Sequence, residues 1–225
     1  VSVALLIPVY MTAEKINGKN AARWAMFFCA ASVLYFSLSF AVLTEVLCTF
    51  LLSWFVYFTV DFLLKPTGGK ILLAALFLAG AVYVRPAAYY FMFASAIILV
   101  CFSAAKLVRF SAWKIATLFF VPLLALVGAW QVRNYIQTGF GGFTTVGAYN
   151  LYMWNEDYLA YKYNLSVPQA HTALENSLPP GFNALPPAGQ TRLYKAMAKP
   201  LIKEAFLYKL SRAPLWAMKT LLGAN

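Results

Sequence analysis

WAMFFCAASVLYFSLSFAVLTEVLCTFLLSWFVYFTVDFLL, running from Trp24 to Leu64, is apolar almost without a break, and the carboxylate near its middle, Glu45, decides how the chain is read. The run is about twice the ~20 residues that one helix needs to cross a hydrocarbon core. Lipid offers backbone amides no partners, so a spanning segment must be a helix or part of a closed barrel. The run lacks the apolar/polar alternation of barrel strands. As one long helix it would place Glu45 in lipid, at a cost of at least about 2.5 kcal/mol. Split into a hairpin of 24–43 and 45–64, it leaves Thr44 to cap the second helix. Glu45 then lies in the first turn, where the helix dipole favours a carboxylate. The hairpin is the cheaper reading.

Working outward, the rest of the chain agrees. Of its 225 residues 62% are hydrophobic and 11% charged, and the mean hydropathy is +0.69; soluble domains carry about a quarter charged residues. The expected fold is therefore an all-α membrane protein, a polytopic bundle of transmembrane helices over 1–132. Its spans are placed at about 1–12, 24–43, 45–64, 71–84, 87–103 and 115–131. Beyond it come an extracytoplasmic loop region, 133–189, rich in Gly and Pro, and basic amphipathic helices over 190–225 that lead into a further span. Within that last segment, Pro200 is expected to open a second helix, and the pair to lie on anionic headgroups.

The net charge is +11. Lys15, Lys19, Arg23, Lys65, Lys70, Lys106, Arg109 and Lys114 all fall in short connections between apolar runs, as the positive-inside rule places them. The partners implied are membrane lipids and no nucleic acid. Cys29, Cys48 and Cys101 sit inside apolar runs without metal or disulfide spacing and read as small apolar side chains. Asp61 is four residues from Lys65 and reads as an exposed intrahelical pair. Glu156 and Asp157 read as a solvated loop, and His171 as a lone side chain without a partner. The chain starts at Val1 inside an apolar stretch, carries no signal-peptide pattern, and reads as an internal fragment of a longer protein.

Counting spans from the basic side brings Glu45, Arg85 and Arg133 to the opposite face. Charged groups in or beside a membrane are costly and mark functional sites by default. Each has a plainer alternative: Glu45 as an interfacial cap, Arg85 as a snorkelling anchor, and Arg133 with Asn134 as a helix-ending pair.

Thr44-Glu45 opening an apolar helix, Gly80 through Arg85-Pro86, Trp130-x-x-Arg133-Asn134-Tyr135-x-x-x-Gly139 and Gly147-x-x-Asn150-Leu151-Tyr152 recur in that order. Together they resemble the membrane glycosyltransferases of the GT-C fold that use polyprenyl-phosphate-linked sugars. That family includes protein O-mannosyltransferases, lipid A aminoarabinose transferase and rhizobial lipopolysaccharide-core glycosyltransferases. The resemblance covers roughly Trp24 to Leu222. It implies transfer of a sugar from the lipid carrier to a lipid, glycan or protein acceptor on the outer face of a bacterial inner membrane. It also implies that the catalytic base belongs to an outer loop N-terminal to these residues, so this piece alone is expected to be inactive. On that reading Glu45 is a supporting acid or a ligand for a divalent metal ion. Arg85 and Arg133 hold the carrier phosphate, and Asn134, Tyr149 and Asn150 contact substrate. The rival class is a transporter or lipid-glycan flippase without transfer chemistry, in which charged groups sit at the bilayer midplane.

Overall fold

Residues 3–32 and 44–222 are described by the computed structural model. The described residues are predominantly helical, with no strand among them. A 3-10 turn, Val3–Leu5, leads into α1 (Leu6–Ala31), followed by α2 (Thr44–Leu64), α3 (Gly68–Val84), α4 (Ala88–Ala104) and α5 (Ala112–Thr138). Then come the short helices α6 (Val146–Met153), α7 (Glu156–Tyr163) and α8 (Val167–Asn176), a second 3-10 turn at Phe182–Ala184, and the long α9 (Pro187–Leu222). Residues 33–43, the second half of the expected span 24–43, lie outside the described residues, as do 1–2 and 223–225. The chain forms two compact units that divide within α5, Val1–Trp130 and Gln131–Asn225.

The first unit is organised by the antiparallel pair α2–α3. Pro66 ends α2 because it cannot continue the helix, and the chain turns through Lys65-Pro66-Thr67 with Thr67 extended (φ −139°, ψ 148°). α3 meets its neighbours through small residues: Ala74, Ala75, Ala79 and Ala81 are buried. A methyl group added at Gly80 would lie 3.4 Å from Leu51 Cδ1. Small residues let helix backbones approach where lipid supplies no hydrophobic drive between helices. Toward the middle of the pair Trp54 stacks on Phe58 and Phe77. α5 joins through Phe119 against Phe55 and through Tyr83, whose hydroxyl donates to the carbonyl of Leu126 at 2.6 Å.

α2 and α5 are long and apolar enough to cross a membrane, with mean hydropathy 1.9 and 2.0 over their best windows. Only 28% and 22% of those windows are buried in the protein, so most of their apolar surface faces outward. α3 and α4, at 17 residues each, are shorter; at 1.5 Å per residue each extends about 25 Å.

Several sequence expectations are corrected here. The connection expected between the spans at 1–12 and 24–43 is no loop but a two-residue break inside α1, at Asn17 and Gly18. Gly18 takes φ +80°, which costs a glycine little. Asp61 does not pair with the Lys65 side chain. Its carboxylate is mostly covered and binds Lys15 Nζ at 2.6 Å and Lys70 Nζ at 3.2 Å. Lys70 Nζ also donates to the main-chain carbonyls of Asp61 and Lys65 at the end of α2, where the helix dipole favours a cation. α5 runs past the expected end at 131 and stops at Thr138, because the residue able to terminate it is Gly139 at φ +68°.

In the second unit, the expected loop 133–189 holds three helices. Pro168 does not break structure there. It sits in the first turn of α8 behind a Ser166/Gln169 capping box, the one helical place where a missing N–H is harmless. Pro200 likewise opens no second helix but lies inside the continuous α9. Burial of Ala198 and Ala205 on one side of Pro200's turn and the next holds that face against the rest of the unit. Tyr152, Met153, Leu174 and Ala198 form its core, with Tyr194, Met197 and Leu201 packed on them.

Because Asp61 offsets two lysines drawn from two other helices, Asp61→Ala should destabilise the first unit by about 2 kcal/mol, between the limits for exposed and buried pairs. Lys65→Ala should cost less than about 0.5 kcal/mol. Thermal unfolding of both variants in detergent compares them directly.

Candidate functional site

Glu45 and Arg85 come together at the end of the α2–α3 pair opposite Asp61. Glu45 is the second residue of α2. Arg85 caps α3 in an extended conformation (φ −136°, ψ 114°), as the residue before a proline prefers. Its own N–H closes the helix on Ala81 O at 2.8 Å, and its carbonyl accepts from Ala88 N at 3.0 Å, so the side chain leaves a rigid corner. Arg85 Nη2 lies 3.1 Å from Glu45 Oε1. Thr44 Oγ1 donates to the other carboxylate oxygen at 3.4 Å. The two side chains are 45% and 31% exposed, open enough to exchange partners.

One turn into α2, the Thr49 hydroxyl donates to Glu45 O at 2.8 Å. Thr49 also belongs to the wall of a cavity of about 370 Å³ between α1 and α2, lined by Thr12, Ile16, Leu52, Ser53 and Val56 among others. An ion pair thus stands about one helical turn from an apolar cavity.

Arg133 and Asn134 belong to the second unit, inside α5 rather than after it. Arg133 Nη1 donates to Asn134 Oδ1 at 3.3 Å. The Asn134 amide nitrogen donates to the carbonyls of Gly142 and Phe143, each at 3.1 Å, so this side chain shapes the glycine-rich turn that follows α5. Tyr149 packs edge-on to Tyr194, and Asn150 is exposed on α6.

Sequence reasoning missed three features of this unit. Tyr152 is buried beside Tyr149 and bonds the Leu174 carbonyl and the Ser177 hydroxyl; it lines a cavity of about 400 Å³ with Leu159, Tyr163, Met197 and Leu201. Asn155 is fully buried. Its amide donates to Leu151 O and Tyr152 O, and its oxygen accepts from Lys209 Nζ at 2.9 Å. Burial pushes the Lys209 ammonium below its ordinary pKa, an effect partly offset by Asp157. His171 is no solitary loop residue. On α8 its Nδ1 meets Glu156 Oε2 at 2.8 Å and its Nε2 meets Glu175 Oε1 at 3.4 Å. The i, i+4 spacing of His171 and Glu175 was the one readable signal, and it needed the helix to be recognised first.

The donor set around Glu45 does not fit a divalent ion. Its partner is a guanidinium, the opposite of the carboxylate and carbonyl cage such an ion takes. Among the described residues no group of three or more His, Cys, Asp or Glu side chains is arranged to hold a metal ion.

No family model, no curated protein and no solved structure matches the chain.

The Glu156 hydrogen bond, with attraction from Glu175, raises the His171 pKa above its ordinary 6.5. A folded-state pKa above the unfolded one adds stability that is complete below the unfolded value and is lost as pH rises through the folded value. The α7–α8 contact should therefore be most protected against amide exchange below about pH 6.5 and loosen above the folded pKa. His171→Gln should flatten that dependence, as followed by hydrogen exchange of α7 and α8 peptides.

Proposed function

We propose that the chain is the helical part of a polytopic membrane glycosyltransferase of GT-C type. It would move a sugar from a polyprenyl-phosphate carrier to a lipid, glycan or protein acceptor at the outer face of the membrane. The observation that carries this reading is the Glu45–Arg85 ion pair at the mouth of the α2–α3 hairpin. Two apolar helices with mostly outward-facing surface support the membrane setting. The basic connections at Lys65–Lys70 and Lys106–Lys114 put the opposite, cytoplasmic label on the other end by the positive-inside rule.

In the proposed reaction the acceptor hydroxyl attacks the anomeric carbon, the bond from that carbon to the carrier phosphate breaks, and the bond electrons leave with the phosphate. The acceptor proton passes to a base not identified among these residues. The phosphate gains negative charge as it departs, and a fixed cation beside it lowers the barrier. Arg85 suits the task because its planar fork holds two phosphate oxygens at once and it cannot lose its proton. Before the carrier arrives, Glu45 fills the seat of the phosphate and keeps the guanidinium aimed. Binding exchanges one anion for another at a half-exposed pair, which costs little.

In membranes carrying the full natural chain, Arg85→Ala should lower transfer from a labelled polyprenyl-phosphate sugar by about 10²- to 10³-fold. Arg85→Lys should recover only part of the loss, because a point charge does not match the fork. Unchanged turnover in Arg85→Ala removes the assignment, and movement of the lipid-linked sugar across the bilayer without transfer would make the protein a flippase.

A further inference from the structure

The face of α9 that looks away from the second unit carries an unusual sequence of side chains. Thr191, Ala198 and Ala205, spaced by sevens, are buried and mark the inward line of the helix. Arg192, Lys195, Lys199 and Lys203 are exposed. Phe206, Leu207 and Leu210 follow them at 60%, 75% and 61% exposure. At 3.6 residues per turn all seven positions fall on one flank of the helix, roughly 120° wide. Four cations thus form a row that passes, without a break in the helix, into three large apolar side chains.

Nothing on the helix compensates this charge. Glu204 is the single acidic residue between Gln190 and Pro214. It lies on the far flank and is bonded to Lys162, which pulls its pKa down. The other two cations of this stretch are committed elsewhere, Lys209 to Asn155 and Arg212 over the Tyr208 ring. No ion pair engages the four cations of the row among the described residues.

We propose that this flank of α9 docks on an anionic bilayer surface, with the basic row among headgroup phosphates and Phe206, Leu207 and Leu210 entering the acyl boundary. The occupant follows from the order of the side chains. A polyanion such as nucleic acid matches the cations but has no apolar phase beside its charges, and an apolar protein groove matches only the other end. A membrane surface offers both layers side by side, and basic residues near it are each worth about a fivefold gain in affinity. The inference is independent of transfer chemistry and needs only that the second unit borders a membrane.

The test places a bimane label at Leu207→Cys in the full chain, with Cys29, Cys48 and Cys101 replaced by serine or alanine. Thr172→Cys on the exposed side of α8 serves as the comparison site. The protein is reconstituted in phosphatidylcholine alone, or with about one part in three of phosphatidylglycerol, each doped with lipid nitroxide-labelled high in the acyl chain. Quenching at position 207 should exceed that at 172 and rise about twofold or more with the anionic lipid. Lys195→Glu with Lys199→Glu and Lys203→Glu should abolish the rise. Equal quenching at the two sites, or quenching indifferent to the anionic lipid, overturns the proposal. So does a short oligonucleotide that binds the parent but not the triple variant, since it would assign the row to nucleic acid. Because lipid composition alone is informative, the test does not depend on the triple variant folding. A transferase defect with normal quenching would leave this surface standing.

Discussion

One register of α2 against α3 has to satisfy an ion pair at each end. At one end Asp61 of α2 meets Lys70 of α3, and at the other Glu45 of α2 meets Arg85 just past α3. Fifteen residues separate Lys70 from Arg85 and sixteen separate Asp61 from Glu45, so two antiparallel helices of equal rise bring both pairs into contact at once. The contacts between follow the same alignment: Leu51 against Gly80, Trp54 against Phe77, and Cys48 Sγ near the carbonyl of Ala81. A slip by one helical turn, about 5.4 Å, would break both ends and put Leu51 against a residue larger than glycine. The position of Arg85 is thus set by the whole length of the hairpin. Its cap and the following Pro86 then fix the direction in which it points.

The two ends are built differently, and the difference is chemical. Asp61 is mostly covered and held by two lysines, one of them also bonded to main-chain carbonyls. Removing any member leaves a charge short of partners in a partly buried place, so that cluster resists rearrangement. Glu45 and Arg85 form a single pair, each side chain about a third exposed or more. Exposed pairs contribute about 0–1 kcal/mol. A pair so weakly bound can trade its carboxylate for another anion without disturbing the fold. One end of the pair is thus held by several partners at once, and the other by a single contact that is free to exchange.

The helical class was legible in the sequence because long apolar runs leave the backbone no alternative, whereas the first arm of the hairpin expected over 24–64 runs into 33–43, outside the described residues. Span ends at Leu64 and Val84 were readable from Lys65-Pro66 and Arg85-Pro86, since proline acts locally. What failed was long-range or depended on a helix being recognised first. Asp61 looked like the partner of Lys65, four residues on, but Lys70 and Lys15 reach it through the turn of the hairpin and from α1. His171 looked solitary until α8 placed Glu175 one turn away and α7 placed Glu156 across from it. Prolines misled twice. Pro168 and Pro200 were read as marks of loop and boundary, whereas one sits at a helix start and the other inside a helix kept whole by tertiary packing. Within the candidate site, topology led to Glu45 and Arg85 sharing one end, but neither their ion pair nor the use of the Asn134 amide on its own turn was read from the sequence.

The choice of cation at each position completes the physical argument. Lysine presents a compact ammonium that can serve several acceptors at once, and Lys70 does so with a carboxylate and two carbonyls. Arginine presents a flat fork with five donors in fixed directions, of which the Glu45 contact engages one terminal nitrogen. A structural staple needs the first kind of group, because what matters there is neutralising several oxygens in a small volume. Recognition of a planar or tetrahedral oxyanion needs the second, because direction separates one ligand from another. Had the hairpin required only two staples, lysine would have served at both ends. The fork stands at the end where its geometry is not used up, and that surplus is the physical ground for reading the Glu45–Arg85 end as the site.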